Sequence, residues 1–307
     1  MNPRRLLCAL IPHLGYSFCA ITARATRRYS TLTMLGSTFA ILPFTSSSAS
    51  STEAEDRPHK LIHFVRHAEG THNVQKDYRS RANIDAPLTD KGIRQCVALA
   101  DKIKNAKESS PLWHLRESAE LIVTSPLRRC IQTATLSLQP LLEKGTPMVA
   151  HEFVRETVNY NCDRRQSLEK IAAEHPHVDF DHIEHEHDDI WQRYEDRFGC
   201  DETFTKHRES GEIHVVAERG RAFFEWLREQ PQKHIVICTH SAFLRCIKNF
   251  GNNKEEGPLG VPQLPEQHAD LPSDISPVLE YPSDSTFAKE MRRDYENCEL
   301  RSMKIVF

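Results

Sequence analysis

The first 52 residues contain no aspartate and no glutamate. Their charge comes from Arg4, Arg5, Arg24, Arg27 and Arg28, and the first acid is Glu53. The whole chain of 307 residues carries 40 Lys+Arg against 43 Asp+Glu, a net of −3. Setting those five arginines aside leaves 35 basic against 43 acidic residues, so residues 53–307 carry −8. A body without basic excess is unsuited to neutralising a run of phosphates, which excludes nucleic-acid binding as its main role. No CxxC occurs among the nine cysteines, and nine is odd, so neither a disulfide framework nor a zinc ribbon is signalled and a reducing compartment fits better. No apolar run of about 20 residues occurs after residue 52, so the body shows no segment for stable membrane insertion. With only 11 Gly and 17 Pro, scattered, collagen-like readings fall away. A hydrophobic share of 39% with 27% charged residues is that of a soluble globular protein.

The acid-free, Arg-bearing segment 1–52 has the composition of an organelle-targeting leader, disordered or removed, and Arg27-Arg28-Tyr29-Ser30 resembles a mitochondrial processing site. Mitochondrial or plastid localisation is therefore expected, with the cytoplasm otherwise. Two apolar stretches, Leu6–Ile21 and Met34–Phe44, leave open a secretory signal or anchor, and a disordered extension with initiation at Met34 is a third reading.

In the body, short apolar runs predict strands at 61–65, 121–124 and 235–239, a weaker one at 148–153 and a last edge strand at 303–307. Helical spacing is read over 89–104, 127–138, 165–174, 213–229 and 242–250. Strands alternating with helices predict a mostly parallel α/β sheet flanked by helices on both faces, a three-layer α/β/α sandwich, within one domain over 58–307. Residues 251–295, rich in proline, read as an excursion within it. Ligands of such sheets bind at the carboxyl ends of the strands.

Four strand ends carry reactive groups. Arg66-His67-Ala68 follows the first strand and Ser125-Pro-Leu-Arg128-Arg129 the second; Thr239-His240-Ser241 follows the third, and Arg155-Glu156 the weaker run. Guanidiniums converging on one spot need an anion, and a phosphoryl group accepts bidentate pairs from each. A neutral imidazole is a competent nucleophile toward phosphorus, and a carboxyl group can protonate the departing oxygen. No metal or cofactor is needed if arginines supply the positive charge.

These residues resemble the histidine phosphatase (phosphoglycerate mutase-like) superfamily. Arg66-His67-Ala68 with Asn73, Leu88-Thr-Asp-Lys-Gly92 with Gln95, Ser125-x-Leu127-x-Arg129-x-x-Gln132-Thr-Ala134 and Thr239-His240-Ser241 stand in that family's order over roughly 60–250. The resemblance implies that His67 is phosphorylated and then hydrolysed. Arg66, Arg129, His240 and Asn73 would line the phosphate pocket, and Glu156 would serve as acid and then base. Cys162-Asp-Arg-Arg165 and the acidic run 184–189 resemble the phosphoglycerate mutase-like phosphatases of plants and fungi. Two departures stand out: Ala68 replaces the usual Gly, and Thr-Val-Asn-Tyr follows Glu156 where a Gly-containing segment is usual.

Several neighbours have rival readings. Glu152 competes with Glu156 as the acid, and Arg128 with Arg129 as the phosphate ligand. His72 and Arg155 are candidate substrate contacts. His63 and Cys238 read as buried strand residues, and the His-rich run 182–189 as a solvated acidic loop rather than a metal site. The expected function is hydrolysis of a small phosphomonoester, the alternative is a phosphoglycerate mutase, and a non-catalytic phosphate-binding module is a third class. Oligomeric state is open.

Overall fold

The computed structural model describes residues 37–43, 58–200, 203–252, 275–282 and 286–307. Seven strands form one sheet: β1 (Phe39–Pro43), β2 (His59–Arg66), β3 (Leu121–Thr124), β4 (Met148–Ala150), β5 (His234–Thr239), β6 (Leu279–Glu280) and β7 (Leu300–Val306). Their order is β4-β3-β5-β2-β7-β1-β6, and β2, β3, β4 and β5 run parallel. β7 is antiparallel to both neighbours, β2 and β1.

Side-chain alternation builds two cores from the same strands. Ile235 and Ile237 pack with Phe223, Phe224 and Leu227 of α8 (Ile213–Glu229). Val236 and Cys238 face the other way, with Cys96 and Leu99 of α2 (Asp90–Lys104) and Cys130 and Ile131 of α4 (Arg128–Ser137). Helices thus cover both faces, as expected of an α/β sandwich. Thr89 caps α2 by accepting from the Gly92 N–H at 3.0 Å. The predicted helix over 165–174 starts later, at Leu168, where Ser167 caps it.

One expectation is corrected, that of a last edge strand. β7 is an interior strand, because residues ahead of the predicted domain pair with its far side. Of the segment read as a leader over 1–52, residues 37–43 are described and include β1: Phe39 and Ile41 are buried, Thr38 Oγ1 donates to the Pro277 carbonyl at 2.8 Å, and Arg221 Nε of α8 donates to the Ser37 carbonyl at 3.2 Å. The rest of that segment, 1–36 and 44–52, lies outside the described residues. The proline-rich excursion returns to the fold through β6 and the helix Thr286–Arg292, with Leu279, Met291 and Tyr295 in the core. Residues 253–274 and 283–285 of it lie outside the described residues.

Burial of one Phe and one Ile side chain contributes about 3–6 kcal/mol. A chain beginning at residue 58 is therefore expected to unfold at markedly lower urea concentration than one beginning at 37. Equal midpoints for the two would show that β1 adds nothing to the sheet.

Candidate active site

The loop after β2 is fixed by the other sequence motifs. The Ala68 N–H donates to Thr133 Oγ1 at 3.0 Å, the Glu69 N–H to Gln95 Oε1 at 2.9 Å, and the Leu88 N–H to Gln132 Oε1 at 2.9 Å. Gly92 lets α2 approach closely: a Cβ there would lie 2.2 Å from the Glu69 carbonyl oxygen. Ala68, where the family usually has Gly, is fully buried in the core with Val65 and Leu88.

His67, buried at the end of β2, is held through its backbone. Its N–H donates to the Thr239 carbonyl at 2.9 Å, and its carbonyl accepts from Asn297 Nδ2 at 3.1 Å. Its Nδ1 lies 2.7 Å from the Ala68 carbonyl. A carbonyl only accepts, so the ring proton sits on Nδ1 and the Nε2 lone pair is left for a ligand. Burial, then Arg129, His72 and Arg66, hold the ring well below the ordinary imidazole range. His67 is therefore a neutral imidazole in a positive field.

The rings of His240 and His72 stand 5.0 and 5.7 Å from the His67 ring. His240 Nε2 meets Ser125 Oγ at 2.8 Å and Cys130 Sγ at 3.3 Å, which sets its ring plane. Burial and Arg129 keep His240 neutral as well. His72 is pushed down to about 2, by burial and then by Arg129 and Arg66. Its Nδ1 has no partner among the described residues.

Arg66 anchors by donating from Nη1 to the Tyr295 carbonyl at 2.6 Å. Arg129 donates from Nη1 to the Cys162 carbonyl at 2.6 Å and from Nη2 to Asp163 Oδ1 at 3.2 Å. Its side chain is 1% exposed, while Arg128 points outward to Glu174 at 2.7 Å. Among the described residues, Nε of both Arg66 and Arg129 is buried without a partner. Two anchored cations beside a neutral imidazole suit an anion.

Glu156 lies at the amino end of α9 (Ser241–Asn249), half-buried. Its carboxylate accepts from the N–H groups of Thr157 and Phe243, both at 3.0 Å, and of Ala242 at 3.3 Å. These bonds favour the ionised form, yet burial and then Asp163 outweigh them and push the group up. A carboxyl held toward its protonated form suits a general acid. Arg219 of α8 fixes the backbone here, donating to the carbonyls of Arg155 at 2.8 Å and Glu156 at 3.4 Å.

Glu152 lies in ion pairs with Arg155 at 3.1 Å and Arg165 at 2.9 Å. Arg155 is fully buried and clamped by Asp188 at 2.8 and 2.7 Å, so it is a framework residue and not a substrate contact. Asn73 turns its Oδ1 to the Gly70 N–H at 3.0 Å, closing the start of the short helix Thr71–Gln75. His63 is buried against Ser302 Oγ at 2.7 Å, and Cys238 lies in the core. The run 182–189 is exposed in most members, but Asp188 is buried, which corrects its reading as wholly solvated. Ser125, Cys130, Asp163 and Arg219 belong to the site and were not singled out from sequence.

The model of the histidine phosphatase superfamily (branch 1) matches residues 62–251. An Arabidopsis thaliana protein called phosphoglycerate mutase-like protein is 30% identical over 279 residues, spanning 80% of this chain and 84% of its own. Phosphoglycerate mutase-like protein 1 of the same plant is also 30% identical, over 80% of this chain and 81% of its own. A probable phosphatase of Schizosaccharomyces pombe is 24% identical over 214 residues, 69% of this chain and 87% of that one.

Proposed function

Because the chain belongs to the histidine phosphatase superfamily, we propose that it hydrolyses a small phosphomonoester, without a metal, through a phosphohistidine on His67. The observation that carries this reading is the bond from His67 Nδ1 to the Ala68 carbonyl, which leaves Nε2 as the free nucleophile beside Arg66 and Arg129. In the first step a P–N bond forms at Nε2 as the ester P–O bond breaks, and Glu156 gives its proton to the leaving oxygen. In the second, water attacks phosphorus, Glu156 takes a proton from it, and the P–N bond breaks. Arg66 and Arg129 offset the charge on the phosphoryl oxygens through both steps. The net charge of −8 over residues 53–307 disfavours polyanions, so small monoesters are the expected substrates.

The names of the Arabidopsis relatives favour a second reading, a phosphoglycerate mutase. One assay separates the two. The protein is incubated with a general aryl phosphomonoester, and separately with a phosphoglycerate, in the presence of a chelator. Steady release of inorganic phosphate supports the hydrolase. Exchange between phosphoglycerate positions without release would replace it with the mutase, and turnover that ceases with chelator would overturn metal independence.

The pH profile follows from the two shifts. His67 must be neutral to attack, and its lowered value keeps it neutral on the acid side of pH 6.5. Glu156 must carry its proton in the first step, and its raised value extends that form toward neutrality. The rate should therefore fall on the alkaline side. Glu156→Gln should lower kcat about 10²- to 10⁴-fold and abolish that alkaline limb. Persistence of the limb in the variant would remove Glu156 from the acid's role.

A further inference from the structure

The stretch Cys162-Asp163-Arg164-Arg165 lies outside the strand ends, yet it holds Arg129. The Cys162 carbonyl and Asp163 Oδ1 occupy the two Nη ends of that guanidinium. Asp163 is itself fixed: Oδ2 accepts from the backbone N–H groups of Asn159 at 3.3 Å and Tyr160 at 3.1 Å. Its carbonyl accepts from Arg155 Nη2 at 2.6 Å. Asp188 grips Arg155 with both oxygens, and also accepts from the N–H groups of Arg165 at 2.7 Å and Trp191 at 2.9 Å. A buried chain of contacts thus runs from Asp188 through Arg155 and Asp163 to Arg129.

Coulomb's law alone makes Asp163 an obstacle, since a carboxylate and a phosphoryl group would share one guanidinium. Geometry gives it a different task. With both Nη ends tied to the 162–163 backbone and side chain, Nε remains without a partner among the described residues. We propose that Asp163 is a positioning residue of the phosphate pocket, fixing Arg129 in the orientation that receives the phosphoryl group, with the Asp188–Arg155 pair holding Asp163 in place. This rests on Arg129 being a phosphate ligand, as in the proposed function.

The test is a double-mutant cycle on inorganic phosphate affinity, measured by calorimetry with the full chain. Its members are the parent protein, Asp163→Asn, Arg129→Ala and the double variant. Loss of a nearby negative charge would by itself tighten anion binding. Loss of positioning is expected to weaken it about 10- to 100-fold, the scale of an ångström-sized misplacement. In the Arg129→Ala background the same change should weaken binding by less than about 2-fold, since the side chain that Asp163 positions is gone; independent sites would instead lose equally in both backgrounds. Unchanged or tighter binding by Asp163→Asn, or an equal loss in both backgrounds, would overturn the proposal. Thermal melting verifies the fold of each variant. If Asp163→Asn does not fold, Asp163→Glu keeps the charge but displaces it by one methylene, and the same outcomes decide. Phosphate affinity needs no turnover, so the hydrolase reading fails separately: a parent protein that binds phosphate with this coupling but cleaves no monoester overturns that reading alone. A parent protein that binds no phosphate overturns both.

Discussion

His67→Ala is expected to lower kcat/KM for an aryl phosphomonoester by about 10⁴-fold or more, with the fold intact. The side chain supplies the only bond to phosphorus in the proposed route, so nothing nearby replaces it. His240 and His72 are close, but a hydroxyl and a thiol engage His240 Nε2, and among the described residues neither ring has the Nδ1-to-carbonyl bond that points Nε2 of His67 outward. The backbone of residue 67 keeps its bonds to Thr239 and Asn297 whatever the side chain, so the loop should persist. Circular dichroism and the same colorimetric assay, run on both proteins, check the expectation. A variant within tenfold of the parent would show that His67 is not the nucleophile.

Arg129→Ala should cost about 10³-fold in kcat/KM, or roughly 4 kcal/mol of transition-state stabilisation, the scale of a lost guanidinium in phosphoryl transfer. Arg129→Lys should recover little. An ammonium is a point charge and cannot hold the Cys162 carbonyl and Asp163 with one edge while presenting another to the phosphate. Arg129→Ala also leaves Asp163 buried without its partner, which destabilises by about 3–5 kcal/mol. Activity must therefore be referred to the folded fraction, read from a melting curve at the assay temperature. Arg128→Ala serves as the contrast: its pair with Glu174 is surface-exposed, and kcat/KM should stay within about 2-fold. Equal losses at 128 and 129 would contradict the placement.

The strand ends were legible because short continuous apolar runs stop abruptly at polar residues, and a parallel sheet gathers those ends on one side. The resemblance to the family's motif, Ser125-x-Leu127-x-Arg129, favoured Arg129 over Arg128. Glu156 and Glu152 could be separated only in three dimensions, where Arg155 and Arg165 claim Glu152 while the amino end of α9 receives Glu156. β1 was hidden by its composition: an apolar strand in an acid-free segment looks like part of a leader until its partner, β7, is known. The interior place of β7 was hidden for the same reason, since nothing local specifies an antiparallel partner about 260 residues away. Asp163 sits in a loop without periodicity, and its part in holding Arg129 depends on a contact 34 residues distant in sequence. Asp188 was taken with its exposed neighbours, though it alone among the acids of 182–189 turns inward.

The central claim is that a phosphoryl group passes through His67. The direct measurement is a rapid quench of the working enzyme into denaturant without acid, followed by mass spectrometry of the peptide bearing His67. Phosphate on that histidine, formed within one turnover and lost once the substrate is exhausted, is the predicted result. It should be absent from His67→Ala and longer-lived in Glu156→Gln, where no carboxylate activates the attacking water. Steady phosphate release with an unmodified His67 peptide at every quench time, under conditions where a phosphohistidine standard survives, would contradict the account.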